Sequence, residues 1–382
     1  MQAESVQLDH CLGRVLRENI FAERDNPPFD RVCMDGIAIA SSAANGGARH
    51  YRVTSTQAAG APAVDLADPA DAVEVMTGAV LPRGADCVVP LEEYDLSAGV
   101  ATLHAGSLVQ PYRNVQRRGA DSQPDVPMLN TGARLGAPEI AVLASAGRTR
   151  ASVSRLPRIV VVSTGDELVE PGLPIAAHQV RRSNAHAITA ILRAHGYSQV
   201  ADDHIHDDAQ ALRARLSHHL DTQEVLVLSG GISKGRFDLV PGVLKDLGVR
   251  EVFQGIEQGP GRPMWFGTGP ADQVVFGLPG NPNATLFCLV RYVLTALARA
   301  SGAPLPDPEP VVLAVPVKRG RTVTYFLPVT LQYDAQGRHL ALPHNPKGSG
   351  DFLALAGTAG FLELPPQSQG YPQGFVAPLY RW

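Results

Sequence analysis

From residue 159 to residue 300 the chain alternates two hydrophobic patterns. Short unbroken apolar runs at 159–162, 225–228 and 274–276 suit strands buried on both faces, as in a parallel sheet covered by helices. Between and after them the apolar residues recur at helical spacing, which predicts helices over 183–196, 207–220 and 239–247. Ser183 or Asn184 is the expected N-cap of the first helix, and Gly196 its stop. Further strands are expected at 199–205, 264–267 and 273–276. The last leads into a long helix with Leu286, Leu289, Val290, Val293, Leu294 and Leu297 on its buried side. Strand–helix alternation of this kind predicts a parallel α/β sheet.

The flanks read differently. Val6, Leu8, Leu12, Val15 and Leu16 predict a helix over 5–20, ended by Asn26, Pro27 and Pro28. Short strands at 51–55, 72–76, 87–90 and 100–104, broken by turns, predict a small barrel or sandwich, and 138–146 a short helix. The basic group Arg113, Arg117, Arg118 and Arg134 reads as a solvated loop. A proline-rich stretch at 304–310 marks a boundary, followed by strands at 311–317, 322–329, 339–341 and 374–379. The fold class is therefore multidomain α/β plus β.

Length and charge narrow the function. A chain of 382 residues implies two to four domains. A net charge of -4 gives no basis for sequence-independent nucleic-acid binding. No apolar run is long enough for a bilayer, and Glu4 and Asp9 speak against a signal peptide, so a cytoplasmic protein is expected. Cys11, Cys33, Cys87 and Cys288 are scattered and read as reduced thiols.

Three strand ends finish in polar, glycine-rich turns: Ser163, Thr164, Gly165, Asp166 and Glu167; Ser229, Gly230 and Gly231, running on to Lys234, Arg236 and Asp238; and Pro279, Gly280, Asn281 and Pro282. On neighbouring strands these turns meet at one rim, where backbone N–H groups and helix N-termini make a phosphate pocket. Asp166, Glu167, Asp207, Asp208 and Asp238 would surround it, an arrangement that calls for Mg²⁺ between acids and phosphate. Each acid taken singly also reads as an ordinary helix cap. His204, His206 and Asp207 suggest a zinc site only weakly, and surface histidines are the simpler reading. The turn from Lys347 to Asp351 reads equally as a ligand loop or a hairpin.

At these positions the sequence resembles the molybdopterin molybdenumtransferases, the family of bacterial MoeA and the gephyrin E domain. The resemblance covers nearly the whole chain. It lies in Asp25-Asn-Pro-Pro-Phe-Asp30, Met34-Asp-Gly36, Thr77-Gly-Ala79, Leu81-Pro-Arg-Gly-Ala-Asp86, Asn114-Val-Gln-Arg-Arg-Gly119 and Leu143-Ala-Ser-Ala-Gly147. It continues in Ser163-Thr-Gly-Asp-Glu-Leu168, Ser183-Asn184, Asp207-Asp208, Ser229-Gly-Gly231, Pro260-Gly261 and Leu278-Pro-Gly-Asn-Pro282. It implies a discontinuous linker and dimerisation domain (1–27 and 128–156) built from the N-terminal helix, and an inserted β-rich domain (28–127). A parallel-sheet molybdopterin-binding domain (157–304) and a C-terminal β-barrel (305–382) complete the subunit of a homodimer. The implied reaction inserts molybdate into molybdopterin-adenylate with Mg²⁺ and releases AMP. The implied catalytic residues are Asp238, Glu167, Asp207, Asp35 and Thr77, with Asp207 and Asp238 as metal ligands. The implied binding residues are Ser163, Thr164 and Gly165, Ser229, Gly230 and Gly231, and Pro279, Gly280, Asn281 and Pro282, together with Arg262 and Asp121. Asp35 and Thr77 would complete the cleft of the dimer partner, and other cofactor-biosynthesis proteins are expected partners.

The chain departs from the family pattern at its basic positions. Gly255 and Gly259 stand where basic residues are usual, leaving Arg262. Arg182 replaces the usual Asp before Ser183 and Asn184. Ile37 and Ala284 replace a usual Tyr and Ser. Two readings follow: an enzyme in which Lys234, Arg236, Arg181 or Arg182 restores the charge, or a non-catalytic or altered-specificity paralogue acting as a molybdopterin- or nucleotide-binding scaffold.

Overall fold

A computed structural model describes residues 1–382 apart from 233–237, 306, 319–320 and 349. Two compact units divide the chain: residues 5–12 with 18–152, and residues 1–4 and 13–17 with 153–382.

The first unit is built on a six-stranded sheet. Its order is Cys87–Pro90, Gly36–Ile39, Asp71–Val75, His50–Gln57, Val100–Leu103 and Tyr94–Ser97. Ile37 and Ile39 point to one apolar core and Ala38 to the other, so the central strand is buried on both faces. The four strands expected here are present. The helix Ala137–Ser145 is present too, capped by the Glu139 carboxylate on the Gly136 N–H at 2.9 Å. Arg117, Arg118 and Arg134 are exposed, with Arg118 Nε donating to Asp25 at 2.6 Å and Arg117 lying over the Tyr112 ring, whereas Arg113 is half-buried and donates to the Glu93 carboxylate at 2.7 Å.

The helix expected over 5–20 does not form. That stretch holds the end of the strand Ala3–Gln7 and a 3₁₀ turn, Leu8–His10. Gly13 sits at φ +76°, which breaks helical geometry, and Leu12 on the supposed apolar stripe is exposed. No N-terminal helix therefore contributes to a linker domain.

The second unit carries the α/β sheet. Its order is Val200–Ile205, Ile159–Thr164, Val225–Ser229, Val274–Leu278, Trp265–Thr268 and Arg250–Gln254. The first four strands are parallel. Trp265–Thr268, expected as part of a parallel alternation, runs antiparallel to both its neighbours, so the unforeseen edge strand Arg250–Gln254 points the same way as the first four. Every residue of Ile159–Thr164 is buried. Ile159 and Val161 face one core and Val160 and Val162 the other, as an unbroken β-branched run requires. The chain leaves Ile159–Thr164 toward one edge of the sheet and Val225–Ser229 toward the other. The crevice between their carboxyl ends is the switch point where open α/β sheets take ligands.

The expected helices appear as Ser183–Ala194, Ala209–Thr222 and Val240–Asp246. Arg182 occupies the N-cap position of the first without a side-chain cap, and Ser183 and Asn184 lie inside its first turn. The long helix runs from Pro282 to Ala300 through a π-helical turn at Leu289–Leu294. C-terminally, the strands Thr324–Tyr333, His339–Pro343, Glu309–Leu313, Val376–Arg381 and Gly360–Leu364 close into a barrel, because the last pairs with the first. The short strand Gln258–Gly259 from the α/β region adds to this barrel, pairing with Thr324 and Tyr325.

Candidate functional site

Parallel pairing places Ser163 beside Ser229, and Ser229 beside Leu278. The three polar turns therefore meet at one rim, as their sequences suggest. A cavity of about 530 Å³ opens there, walled by Ser163, Thr164, Glu167, Ser229, Gly230, Gly280 and Pro282 among others. Ser163, Thr164 and Ser229 are 1%, 3% and 3% exposed. Thr164 Oγ1 is buried without a hydrogen-bond partner among the described residues, which is costly unless a ligand or water completes it. The glycines follow from crowding. Gly230 and Gly231 take φ of +97° and +64°, and a Cβ on Gly231 would stand 2.7 Å from Thr164 Oγ1.

Asn184 ties the turns together. Its amide nitrogen donates to Ser229 Oγ (3.0 Å), Gly280 O (2.9 Å) and Thr285 Oγ1 (3.3 Å). Asn281 caps the helix Pro282–Cys288 by accepting from the Asn283 N–H at 3.1 Å, and the Pro279 carbonyl accepts from Thr285 Oγ1.

The acids divide by role. Asp208 is a helix cap, accepting from the Ala211 N–H at 2.7 Å. Asp166 accepts from the Asp207 N–H at 3.2 Å and lies 2.9 Å from His206 Nδ1. His206 first, then that N–H, hold its carboxyl below the usual range. Asp207 is pushed the other way, above the ordinary carboxylate range. Burial is the main cause, followed by the charges of Asp166 and Glu167, with Asp238 adding to them. Asp207, Glu167 and Asp238 thus form one field of negative charge. Among the described residues no set of three or more His, Cys, Asp or Glu side chains is arranged to hold a metal ion. His204 Nε2 lies 2.9 Å from the Gly165 carbonyl, so this histidine is engaged with backbone.

The basic residues fall differently from expectation. Arg182 is 6% exposed and fully engaged. It donates to Ser163 Oγ (3.2 Å), Glu170 (2.7 Å) and Asp202. Arg181 donates to the carbonyls of Glu170 and Leu173, at 3.0 and 2.7 Å. Both line the cavity; Arg182 is balanced by its two carboxylates, whereas Arg181 is exposed and held by neutral carbonyls, with no carboxylate partner among the described residues. Lys234 and Arg236 lie outside the described residues. Arg262 is exposed and lines neither this cavity nor the next.

A second cavity of about 280 Å³ lies between the α/β region and the barrel. Gly259, Pro260, Asn283, Arg321, Tyr325 and Gly348 line it. Asn283 Oδ1 is buried there without a partner among the described residues. Arg321 sits 5.1 Å from the Tyr325 ring centroid and is the cation among the described lining residues. The Lys347–Asp351 turn borders both cavities, Gly348 the smaller, Gly350 and the following Phe352 the larger. Sequence reasoning did not single out Arg321, Thr285 or Phe352, because nothing local marks them; only the fold brings them in.

Asp35, Thr77 and Asp121 belong to the other unit. Thr77 donates to Asp35 Oδ1 through its N–H at 2.6 Å and its hydroxyl at 2.8 Å. The N–H first and the hydroxyl second hold this carboxyl below its ordinary value. Asp121 accepts from Gln116 at 2.6 Å.

Residues 1–147 match the family model described as MoeA N-terminal region (domain I and II), and residues 160–347 the one described as "Probable molybdopterin binding domain". A molybdopterin molybdenumtransferase of Synechocystis sp. is 38% identical across 99% of this chain and 95% of that protein. The one from Bacillus subtilis is 28% identical across 98% and 88%. A molybdopterin biosynthesis MoeA protein from Pyrococcus horikosii superposes with a TM-score of 0.80 at 28% identity, covering 100% of this chain and 94% of the other. With the strand-end cavity and its motifs in place, these matches settle the family: the chain belongs to the molybdopterin molybdenumtransferases, enzymes of molybdenum cofactor biosynthesis.

Proposed function

We propose that this chain inserts molybdenum from molybdate into adenylylated molybdopterin and releases AMP, with Mg²⁺ as cofactor. The observation that carries the reading is the convergence of three buried hydroxyls, Ser163, Thr164 and Ser229, on one cavity beside a carboxylate cluster. Asp207 and Asp238 would hold Mg²⁺. Asp207 is pushed upward by burial first and then by its negative neighbours, whose field a divalent cation would relieve, and one or two carboxylates with substrate phosphates are the usual Mg²⁺ ligand set. When bound, the ion supplies positive charge against the phosphoanhydride. The hydroxyls orient the pterin ligand, Glu167 presents its carboxylate to the cavity, and the Gly230 turn lets backbone approach closely.

Molybdate would enter the smaller cavity. Gly259 has lost the usual cation there, and Arg321 takes over the charge. A cation about 4 Å from an oxyanion is worth about 4 kcal/mol at an effective dielectric near 20, enough to decide binding. The resemblance assigns Asp35 and Thr77 to the cleft of a second copy, so a homodimer is part of the proposal.

Gly255 and Gly259 favour a second reading, a ligand-holding paralogue without turnover. AMP release from molybdopterin-adenylate, followed with Mg²⁺ and with or without molybdate, separates the two. Release that needs molybdate and vanishes in Asp238→Ala supports the enzyme. Tight adenylate binding without release supports the holder, and no binding overturns both.

A further inference from the structure

The direction of the hydrogen bonds at the cavity says what its ligand must present. A guanidinium has donors only, so Ser163 Oγ is the acceptor from Arg182 Nε at 3.2 Å. An amide nitrogen also only donates. The Asn184 nitrogen is fixed in place because Gly280 O, which can only accept, lies 2.9 Å from it, so Ser229 Oγ likewise accepts at 3.0 Å. Each serine keeps one O–H proton, and among the described residues neither hydroxyl donates to the protein. The two residues are register partners on adjacent parallel strands, so their side chains stand on the same face of the sheet and line the same cavity. Thr164 Oγ1 beside them has no partner among the described residues.

Arg182 cannot act on a ligand as a bare charge. Glu170 and Asp202 occupy the rest of its fork, so two carboxylates balance one guanidinium. What reaches the cavity is its effect on Ser163.

We propose that Arg182 is a positioning residue: by donating to Ser163 it fills one lone pair of the serine and turns the O–H proton toward the cavity, and, paired with Ser229, this favours a ligand that places a proton-free oxygen acceptor between the two strand ends. For the molybdopterin pocket proposed above, on which this inference rests, a phosphate or pterin carbonyl oxygen meets that demand. A group with no acceptor there leaves both serine protons unpaired, which weakens its binding.

Titration calorimetry with molybdopterin tests this on the full chain. Wild type, Ser163→Ala, Arg182→Lys and the double variant are compared. Lysine keeps a cation between Glu170 and Asp202 but has no Nε–H for the serine. Ser163→Ala is expected to weaken binding about tenfold, about 1.4 kcal/mol. Arg182→Lys is expected to lose a similar factor, and the double variant no more than Ser163→Ala alone, the non-additivity of two residues acting through one contact. Glu170→Gln, which releases a different arm of the arginine, is expected to bind as wild type. Unchanged affinity in Ser163→Ala overturns the proposal even if Arg182→Lys does not fold. Losses that multiply in the double variant, or a tenfold loss in Glu170→Gln, assign the effect elsewhere and overturn it too. A wild-type protein that takes no molybdopterin overturns the functional reading itself, an outcome distinct from any loss confined to the variants.

Discussion

Asn184 offers a sharp test of how the cavity is assembled. Its amide nitrogen shares two protons among Ser229 Oγ, Gly280 O and Thr285 Oγ1. Asn184→Ala deletes two bonds near 3.0 Å, each worth about 1 kcal/mol net, so a loss of about 2 kcal/mol is expected. Thr285 is cushioned because its single hydroxyl proton stays shared between the Pro279 carbonyl and the Asn281 carbonyl, the latter at 2.8 Å. Asn184→Asp has nearly the same shape and should be worse, about 3 kcal/mol or more, because it sets a carboxylate oxygen against the Gly280 carbonyl with no proton between. The same change turns the Ser229 hydroxyl toward the new carboxylate and away from the cavity. Urea unfolding gives the stability and a molybdopterin titration the affinity. The expected order of stability is wild type, alanine, aspartate, with the aspartate variant losing the ligand. An aspartate variant as stable as the alanine one that still binds would refute the donor role of Asn184 and the convergence of the three turns on it.

Two further outcomes follow from the electrostatics. Asp207 has a folded pKa raised by burial and by Asp166 and Glu167, so its stabilising contribution is present below the ordinary carboxylate value and lost as pH rises through the raised one. Without Mg²⁺, Asp207→Asn is therefore expected to raise Tm at pH 7, with a gain that shrinks toward pH 4; no gain at pH 7 contradicts the crowded-carboxylate account. Arg321→Gln is expected to raise the KM for molybdate tenfold or more and leave molybdopterin affinity unchanged. An unaltered KM removes the smaller cavity from the reaction.

Much of this site is legible in the sequence because its parts are local. The run 159–162 announces a buried strand, and the glycines after Ser229 announce a turn that only positive φ can make. Parallel pairing then brings together Ser163, Ser229 and Gly280, which lie far apart in sequence. The N-terminal stretch misled because apolar spacing near 3.6 says nothing of Gly13, whose backbone ends any helix there. Arg182 misled differently. Read as a loose cation beside a phosphate pocket, it is a buried fork committed to Glu170, Asp202 and Ser163, and only the fold shows those partners. Arg321 is invisible for the converse reason: it joins the site through the pairing of Gln258–Gly259 with the barrel strand, a contact between distant segments with no local signature.

The most direct test of the central claim is a crystal structure with molybdopterin bound. The account predicts density in the 530 Å³ cavity, with acceptor oxygens of the ligand within hydrogen-bond distance of Ser163 and Ser229. Ligand density elsewhere, with those two hydroxyls facing only water, would contradict it.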